Sequence, residues 1–322
     1  MGICGGHVSH REGDVDLRLA YTSDIHLDAS EMNRDAAGAV AAVARAKDPD
    51  VLIVAGDAGN TLEALEEALS CFADIGAIRF FVPGNHDVWI ETEGQELIGS
   101  RVKYEERIPE VCRRSGFHDL GLEPVVIEDI GFVGSLGWYD YTFADRRLGL
   151  TEDDYWKGRF GDDIWWDKKM TYWMPVSQPP PSIDRPKLPG VSPQTKIVAG
   201  APAERMRDPE VCAEMTRRLE AHIVSIENRV KKIVAVIHTL PFFVGIPRRD
   251  PPYYLDAYTG SERLGRVLHA HTKVKHCIHG HKHTNGEWTA GGIRLYRRGL
   301  GRVEDESDVR ESVAGAVGVI EV

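Results

Sequence analysis

Val51-Leu52-Ile53-Val54-Ala55 runs directly into Gly56-Asp57-Ala58-Gly59-Asn60. A continuous apolar run of this length is what a strand buried on both faces requires, and it stops on a turn that carries a carboxylate. The flanking sequence repeats the arrangement. On the N-terminal side, Leu17 to Thr22 reads as a short strand that stops at Ser23-Asp24-Ile25-His26. Met32 to Lys47 is alanine-rich, with Met32, Ala36, Val40 and Val43 at helical spacing. On the C-terminal side, Thr61 can cap a helix running to about Ile75, with Leu62, Leu65, Leu69 and Phe72 on one face. Ile78 to Val82 is the next buried strand and leads to Gly84-Asn85-His86-Asp87. Strand, helix, strand, helix, strand at this spacing predicts right-handed crossovers and a largely parallel sheet, an α/β fold. Working residues in such sheets collect at the carboxyl ends of the strands, where Asp24, Asp57 and Asn85 fall.

The rest of the chain continues less regularly. Thr92 to Ser115 reads as a helix, and Pro124 to Ile127 with Gly131 to Leu136 as strands beginning a second sheet. From Asp140 to Ala199 the periodicity breaks. This stretch holds Trp156, Trp165, Trp166 and Trp173 and the Pro179-Pro180-Pro181 run, and is read as an inserted cap or arm. Pro202 to Val230 reads as a long helix, Lys232 to Ile237 as a strand ending at His238, and Gly260 to His271 as a helix. Val274 to Ile278 is a strand leading to Gly280-His281-Lys282-His283. Trp288 to Tyr296 and Val313 to Val322 are expected as closing antiparallel strands. The expected organisation is one domain, 1–322, with the insertion at 140–199 and a flexible segment at 1–16.

Bulk properties narrow the class. The 322 residues are 42% hydrophobic and 28% charged, values of a soluble globular protein with an ample core. A net charge of −11 argues against bulk capture of nucleic acid, leaving it possible only as a substrate in a local groove. No apolar run reaches the length of a membrane span. Met1 to Asp16 lacks the apolar stretch of a secretory signal, and Gly6 stands where a myristoylation motif wants Ser or Thr. Five cysteines, none in metal-ligand spacing, read as reduced thiols in a cytoplasmic protein.

Five segments therefore deliver metal-binding side chains in order: Asp24-Ile25-His26, Gly56-Asp57 to Asn60, Gly84-Asn85-His86-Asp87, His238, and Gly280-His281-Lys282-His283. Hydrolysis of a phosphate ester at a dinuclear site needs hard oxygen ligands, imidazoles and one carboxylate able to bridge. Asp24 and His26, two apart at a strand end, can chelate one ion, and His281 and His283 share a face by the same period. Asp57 is the natural bridge, and Asn85 supplies an amide oxygen. The sum is two divalent ions, each with a mixed nitrogen and oxygen set.

These motifs in this order resemble the calcineurin-like metallophosphoesterases, whose pattern runs D-x-H, GD-x-x-D, GNH-D/E, a lone His, and GH-x-H. The resemblance covers residues 17 to about 297 apart from the 140–199 insertion. It implies a four-layer α/β/β/α sandwich of two mixed sheets flanked by helices, with the metals at the strand ends. It further implies that Asp24, His26, Asp57 and His283 hold one metal, and Asp57, Asn85, His238 and His281 the other. The ions would be Mn, Fe or Zn. A metal-bridging hydroxide would attack phosphorus in line, with His86 near the leaving group. One position departs: Asn60 stands where the family usually has an acid paired with the histidine at position 86. A neutral amide leaves the protonation of His86 open. His86 and Asn60 are thus the expected catalytic pair.

The Gly84-Asn85-His86-Asp87 form, and no arginine pair beside these motifs, favour a phosphodiester over a phosphomonoester. The rival reading is a scaffold that keeps the fold without the chemistry, like the phosphoesterase-like retromer subunit. It predicts eroded ligands, and all seven positions are intact. Of the remaining histidines, His7 and His10 fall in the flexible N-terminal segment, His118, His222, His269 and His271 read as surface or helix-face residues, and His276 flanks the last motif. Strand alternation turns His279 to the side of His281. Arg248 and Arg249 read as a solvated loop pair, and the tryptophans from 156 to 173 as the insertion's own small core.

Overall fold

The computed structural model describes residues 16–93, 96–174, 205–305 and 307–322. Residues 1–15 of the expected flexible segment 1–16, the Pro179-Pro180-Pro181 run and most of the second half of the 140–199 segment lie outside these residues. Two sheets form the centre. In the first, β1 (Arg18–Thr22), β2 (Val51–Val54), β3 (Ile78–Phe81) and β6 (His118–Asp119) are parallel, and β15 (Gly318–Glu321) closes the edge antiparallel to β1, in the order β15-β1-β2-β3-β6. In the second, β8 (Ile130–Ser135), β11 (Lys232–Ile237), β12 (Val274–His279) and β14 (Ile293–Arg297) are parallel. Antiparallel strands β7 (Val125–Ile127) and β13 (Gly286–Ala290) form its edges, giving β13-β14-β12-β11-β8-β7.

Side-chain alternation divides the core into layers. Leu19, Tyr21, Ile53 and Phe80 of the first sheet meet Phe132, Val234, Val236 and Ile278 of the second. From the other face of the first sheet, Ala20, Leu52, Val54 and Phe81 pack on α1 (Glu31–Ala46) and α2 (Leu62–Ser70). From the other face of the second, Val133, Ile233, Ala235 and Cys277 pack on α7 (Asp208–Ile226) and α8 (Glu262–Ala270). This is the four-layer α/β/β/α sandwich. Both α1 and α2 start as their sequences direct: the Ser30 and Thr61 hydroxyls accept from the backbone N–H of Asn33 and Ala64, filling otherwise unpaired donors of the first turn.

Four expectations need correction. The helix read from Thr92 begins only at Ser100, after a short hairpin of β4 (Glu91–Glu93) and β5 (Glu96–Ile98); a π-helical turn, Lys103–Arg107, interrupts it before it ends at Arg114. The hairpin is held from outside, by Ile90 N–H on Met170 O at 2.7 Å and Ser100 N–H on Tyr172 O at 3.2 Å, so tertiary pairing overrides helix propensity. The helix read from Pro202 runs from Asp208 to Ile226. Val313 lies on α9 (Val309–Gly315), and only the strand after it pairs with β1. The tryptophans of the 140–174 region do not form a separate core: Trp173 joins the cluster around α1 and α2, and Trp165 packs against it.

Asp119, at the end of β6, is buried with Oδ1 accepting from Gly121 N–H at 2.8 Å and Oδ2 without a partner among the described residues. Burial pushes its carboxyl up from 3.8 to about 7. The folded state therefore holds a proton that the unfolded state has released. This contribution to stability is fully present below 3.8 and is lost as pH rises through about 7. Asp119→Asn keeps the acceptor and removes the titration. Its Tm relative to the wild type should rise as pH increases from about 4 to about 8. A Tm difference that is flat in pH, by calorimetry, would contradict this account.

Candidate metal centre

The carboxyl ends of β1, β2, β3, β11 and β12 meet at one edge of the sandwich, and their loops bring all nine candidate residues into one site. The loop conformations are unusual. Of the eight non-glycine residues with positive φ among the described residues, four are here: Asp24 (51°), His26 (47°), Asp57 (55°) and His281 (71°). L-residues enter this region at a cost, and a surrounding structure must hold them there. Two glycines allow the loops to pass. A Cβ on Gly84 would lie 2.2 Å from Asp57 Oδ1, and one on Gly56 (φ 89°) would lie 2.5 Å from His238 Nδ1.

Asp87 does the holding. Its carboxylate accepts the backbone N–H of Asp57 (2.8 Å), Ala58 (2.9 Å), Gly59 (3.0 Å) and Gly84 (2.7 Å). Burial and the neighbouring Asp57 push it up to about 7, and these donors hold it down. Asp87 thus faces the protein backbone and ties the β2 and β3 loops together, a role its place in the third motif did not reveal.

The convergence of acceptors is the central feature. His238 Nδ1 lies 2.8 Å from Ala55 O, and His281 Nε2 lies 3.1 Å from Tyr258 O. Those carbonyls fix a proton on each of these nitrogens. Of the opposite nitrogens, His238 Nε2 and His281 Nδ1, the second carries a lone pair, while Asp57 favours a proton on the first and, against burial, lifts that ring from 6.5 to about 9. Both nitrogens point at Asn85 Oδ1, from 3.1 and 2.9 Å. Asn85 cannot answer with its amide hydrogens, because Nδ2 donates to Asp167 Oδ1 at 3.0 Å. Asp57 Oδ2 lies 3.3 Å from His238 Nε2 and 3.8 Å from His26 Nε2. On the far side, His26 Nε2 and His283 Nε2 are 3.0 Å apart, and Asp24 Oδ1 is 3.6 Å from His283 Nε2. Burial pulls His26 and His281 well below the usual histidine range, and the surrounding histidines hold Asp57 well below the usual carboxylate range against its own burial. Carboxylates, an amide oxygen and imidazole nitrogens converging this closely, with His281 Nδ1 set against Asn85 Oδ1 at 2.9 Å, fit cations, and an ion at His238 would take the place of the proton on its Nε2. The ligand atoms fall into three overlapping groups: Asp24, His26 and His283; His26, Asp57 and His86; Asp57, His238 and His281.

His86 stands beside this cluster. Its Nδ1 is 2.8 Å from Asn60 Oδ1, its backbone N–H donates to Asp57 Oδ1 at 2.8 Å, and its ring lies 3.9 Å from that of Trp89. Burial draws the ring down to about 4. Asn60 is itself positioned: its N–H donates to the Asp28 carboxylate at 3.0 Å, and its carbonyl accepts from buried Lys103 Nζ at 3.0 Å.

Sequence reasoning missed several of these supports. Asp167 accepts from Asn85 Nδ2, Trp89 Nε1 (2.7 Å) and Tyr139 OH (3.3 Å), yet it lies in the segment read as a cap, with no motif around it. Lys103, Asp28 and the Tyr258 carbonyl carry no motif either. Arg302 follows Gly301, whose N–H donates to Asp24 O at 2.8 Å, and its charge depresses both His26 and His86. His279, expected on the side of His281, is buried near Trp288 and hydrogen-bonds to no site residue.

Comparison with known proteins fits this geometry. The sequence profile of the calcineurin-like phosphoesterases matches residues 17–224. The chain belongs to that family. It is accordingly a metal-dependent phosphoesterase, a hydrolase of phosphoric ester bonds. Among curated proteins no significant match is found. Among solved structures, the phosphopantetheinyl hydrolase PptH of Mycobacterium tuberculosis is similar in fold, with a TM-score of 0.66 over 95% of this chain and 96% of that one at 17% identity. A dimetal phosphatase from Danio rerio aligns with a TM-score of 0.46 at 12% identity, over 87% of this chain and 86% of that one. No helix among the described residues is long and apolar enough to cross a membrane.

Asp87→Asn should destabilise the protein by roughly 3 kcal/mol, because an amide hydrogen would face backbone N–H groups that now share a carboxylate. Denaturant unfolding measures this. A loss below about 0.5 kcal/mol, the range of surface substitutions, would mean that the two loops do not depend on Asp87.

Proposed function

We propose that this phosphoesterase holds two divalent ions and prefers phosphodiesters. Asp24, His26, Asp57 and His283 would hold one ion, and Asp57, Asn85, His238 and His281 the other. The observation that carries the reading is the position of Asp57, whose Oδ2 lies between His26 Nε2 and His238 Nε2, so that one carboxylate serves both groups. The mixed nitrogen and oxygen set suits Mn, Fe or Zn. Bound there, the ions neutralise phosphoryl oxygens and activate water.

The chain's own residues do the rest. Asp167 fixes the Asn85 amide so that Oδ1 faces the imidazoles. Asn60 fixes His86 through Nδ1, and Nε2, once it has taken a proton from solvent, is the atom that would serve the departing oxygen; because burial draws the ring down to about 4, that assistance fades as pH rises above it. Trp89 stacks on the His86 ring, keeping it in place and excluding water from that face. Arg302 at the rim offers one positive charge to the phosphate, which suits a singly charged diester better than a doubly charged monoester. We read the chain as one domain, 1–322, in which the 140–199 segment governs substrate access while Asp167 within it steadies the metal centre. Free Cys71, Cys112, Cys212 and Cys277 suit the reducing cytoplasm.

Elemental analysis tests the ion assignment. Asp57→Ala should lose most of both ions. Asp167→Ala should weaken the Asn85 side alone, by about 10–100-fold in affinity. Unchanged metal content in Asp57→Ala would sink the assignment.

The substrate preference is read from a panel of diesters and monoesters assayed with added Mn²⁺. The kcat/KM for a bis-aryl phosphate should exceed that for the matched aryl monophosphate, and the reverse order would make the enzyme a monoesterase. In His86→Gln, esters with poor leaving groups should lose about 10²–10⁴-fold in kcat while activated aryl esters lose far less. Equal losses would remove His86 from the leaving-group side.

A further inference from the structure

A second concave region is linked to the metal centre through one turn of the chain and takes no part in the chemistry above. It is a cleft of about 840 Å³ between the 142–147 loop and the 243–256 segment. That volume is far larger than one phosphate needs and within the range of small-molecule sites. One 3₁₀ turn, Tyr254–Tyr258, connects the two regions. At its end the Tyr258 carbonyl holds His281 Nε2. At its middle Asp256 lines the cleft, with its carboxylate 4.0 Å from Nζ of Lys282, the residue between His281 and His283.

The walls carry four acids and four arginines, and two further cations, Lys282 and Arg266, adjoin them. Every acid there has a cation beside it: Asp145 accepts a fork from Arg147, Asp250 lies 3.7 Å from Arg147, Asp256 faces Lys282, and Glu262 lies 3.4 Å from Arg266. Arg146 and Arg248 make no side-chain hydrogen bond or close ion pair among the described residues, with Arg248 acting on Asp145 at longer range, and Arg249 lies over the Tyr253 ring at 4.3 Å, hydrogen-bonds that tyrosine and acts on Asp256. The cleft thus presents exposed guanidinium groups, geometrically suited to forked recognition of phosphate oxygens. Phe143 and Phe243, in ring contact with each other, supply apolar wall.

We infer that this cleft is a distal anion subsite, and that the natural substrate is a phosphate ester whose non-reacting arm is partly apolar and carries a second phosphate. The inference rests on the dinuclear reading of the metal centre, whose ions would take the scissile phosphate. Arg146, Arg248 and Arg249 would take the other. They act on binding and alignment, so distal charge should lower KM or Ki more than it raises kcat.

The test uses competitive inhibition of bis-nitrophenyl phosphate turnover by alkane-α,ω-diyl bisphosphates of increasing length, each compared with the monoalkyl phosphate of the same length. In the wild type, one range of lengths should inhibit roughly tenfold or more better than its monophosphate, with an advantage that shrinks as salt is added. In the Arg146→Ala/Arg248→Ala double variant that ratio should fall toward one, and in Arg248→Lys it should fall only in part. A wild-type ratio that is flat and close to one at all lengths would overturn the subsite. So would an optimum that survives intact in the double variant. Failure of the metal-centre reading looks different: no ester in the panel would be turned over at all. Circular dichroism of the double variant checks its fold, and both side chains are exposed.

Discussion

The Asp87 carboxylate is the interaction on which the site depends. Two parallel neighbours, β2 and β3, end in loops that must approach so closely that only Gly56 and Gly84 fit between them. Backbone N–H groups crowd at that point with no carbonyl to receive them. One buried carboxylate accepts four of them. Asp57 and Asn85 then stand next to each other, with Asp57 Oδ1 receiving the His86 N–H as a further tie. The left-handed conformation of Asp57 is sustained by this bonding, at a cost of order 1–3 kcal/mol that the surrounding contacts must exceed.

A second constraint is direction. A histidine ring offers a lone pair on one nitrogen only if the other keeps its proton. Here backbone carbonyls of Ala55 and Tyr258 make that choice for His238 and His281. Asp167 makes the equivalent choice for Asn85. These partners come from β2, from the 3₁₀ turn before α8, and from the 140–174 region, so the preorganisation of the site draws on distant parts of the chain. Lys103, buried on the π-helical turn, performs a similar service for the Asn60 carbonyl.

Much of this was legible in the sequence because strand ends are local events. A buried apolar run, a glycine and a ligand sit within a few residues of each other, and the parallel topology places them at one edge. All nine predicted site residues meet there for that reason. What escaped the sequence were contacts between segments far apart in it. Asp167 reaches Asn85 across 82 residues, and nothing near it marks the role. The 91–98 hairpin has the composition of a helix and was set instead by pairing with residues 170–172. Asp87 was visible as a motif residue, but its direction was not, because alternation gives no guide inside a turn. The same limit explains His279, where the strand's period was extended past the point at which the strand ends.

The donors are also divided between the two sheets. Asp24, His26, Asp57 and Asn85 follow strands of the first, whereas His238, His281 and His283 follow strands of the second. On the ligand assignment proposed above, neither sheet alone could complete a coordination sphere. A nascent chain would carry only oxygen-rich half-sites and His26 until residue 238 had been made, and the last imidazole would arrive at residue 283. Acquisition of the ions would then mark late assembly, when the second sheet has closed onto the first, and a chain stalled before that point would have little hold on them.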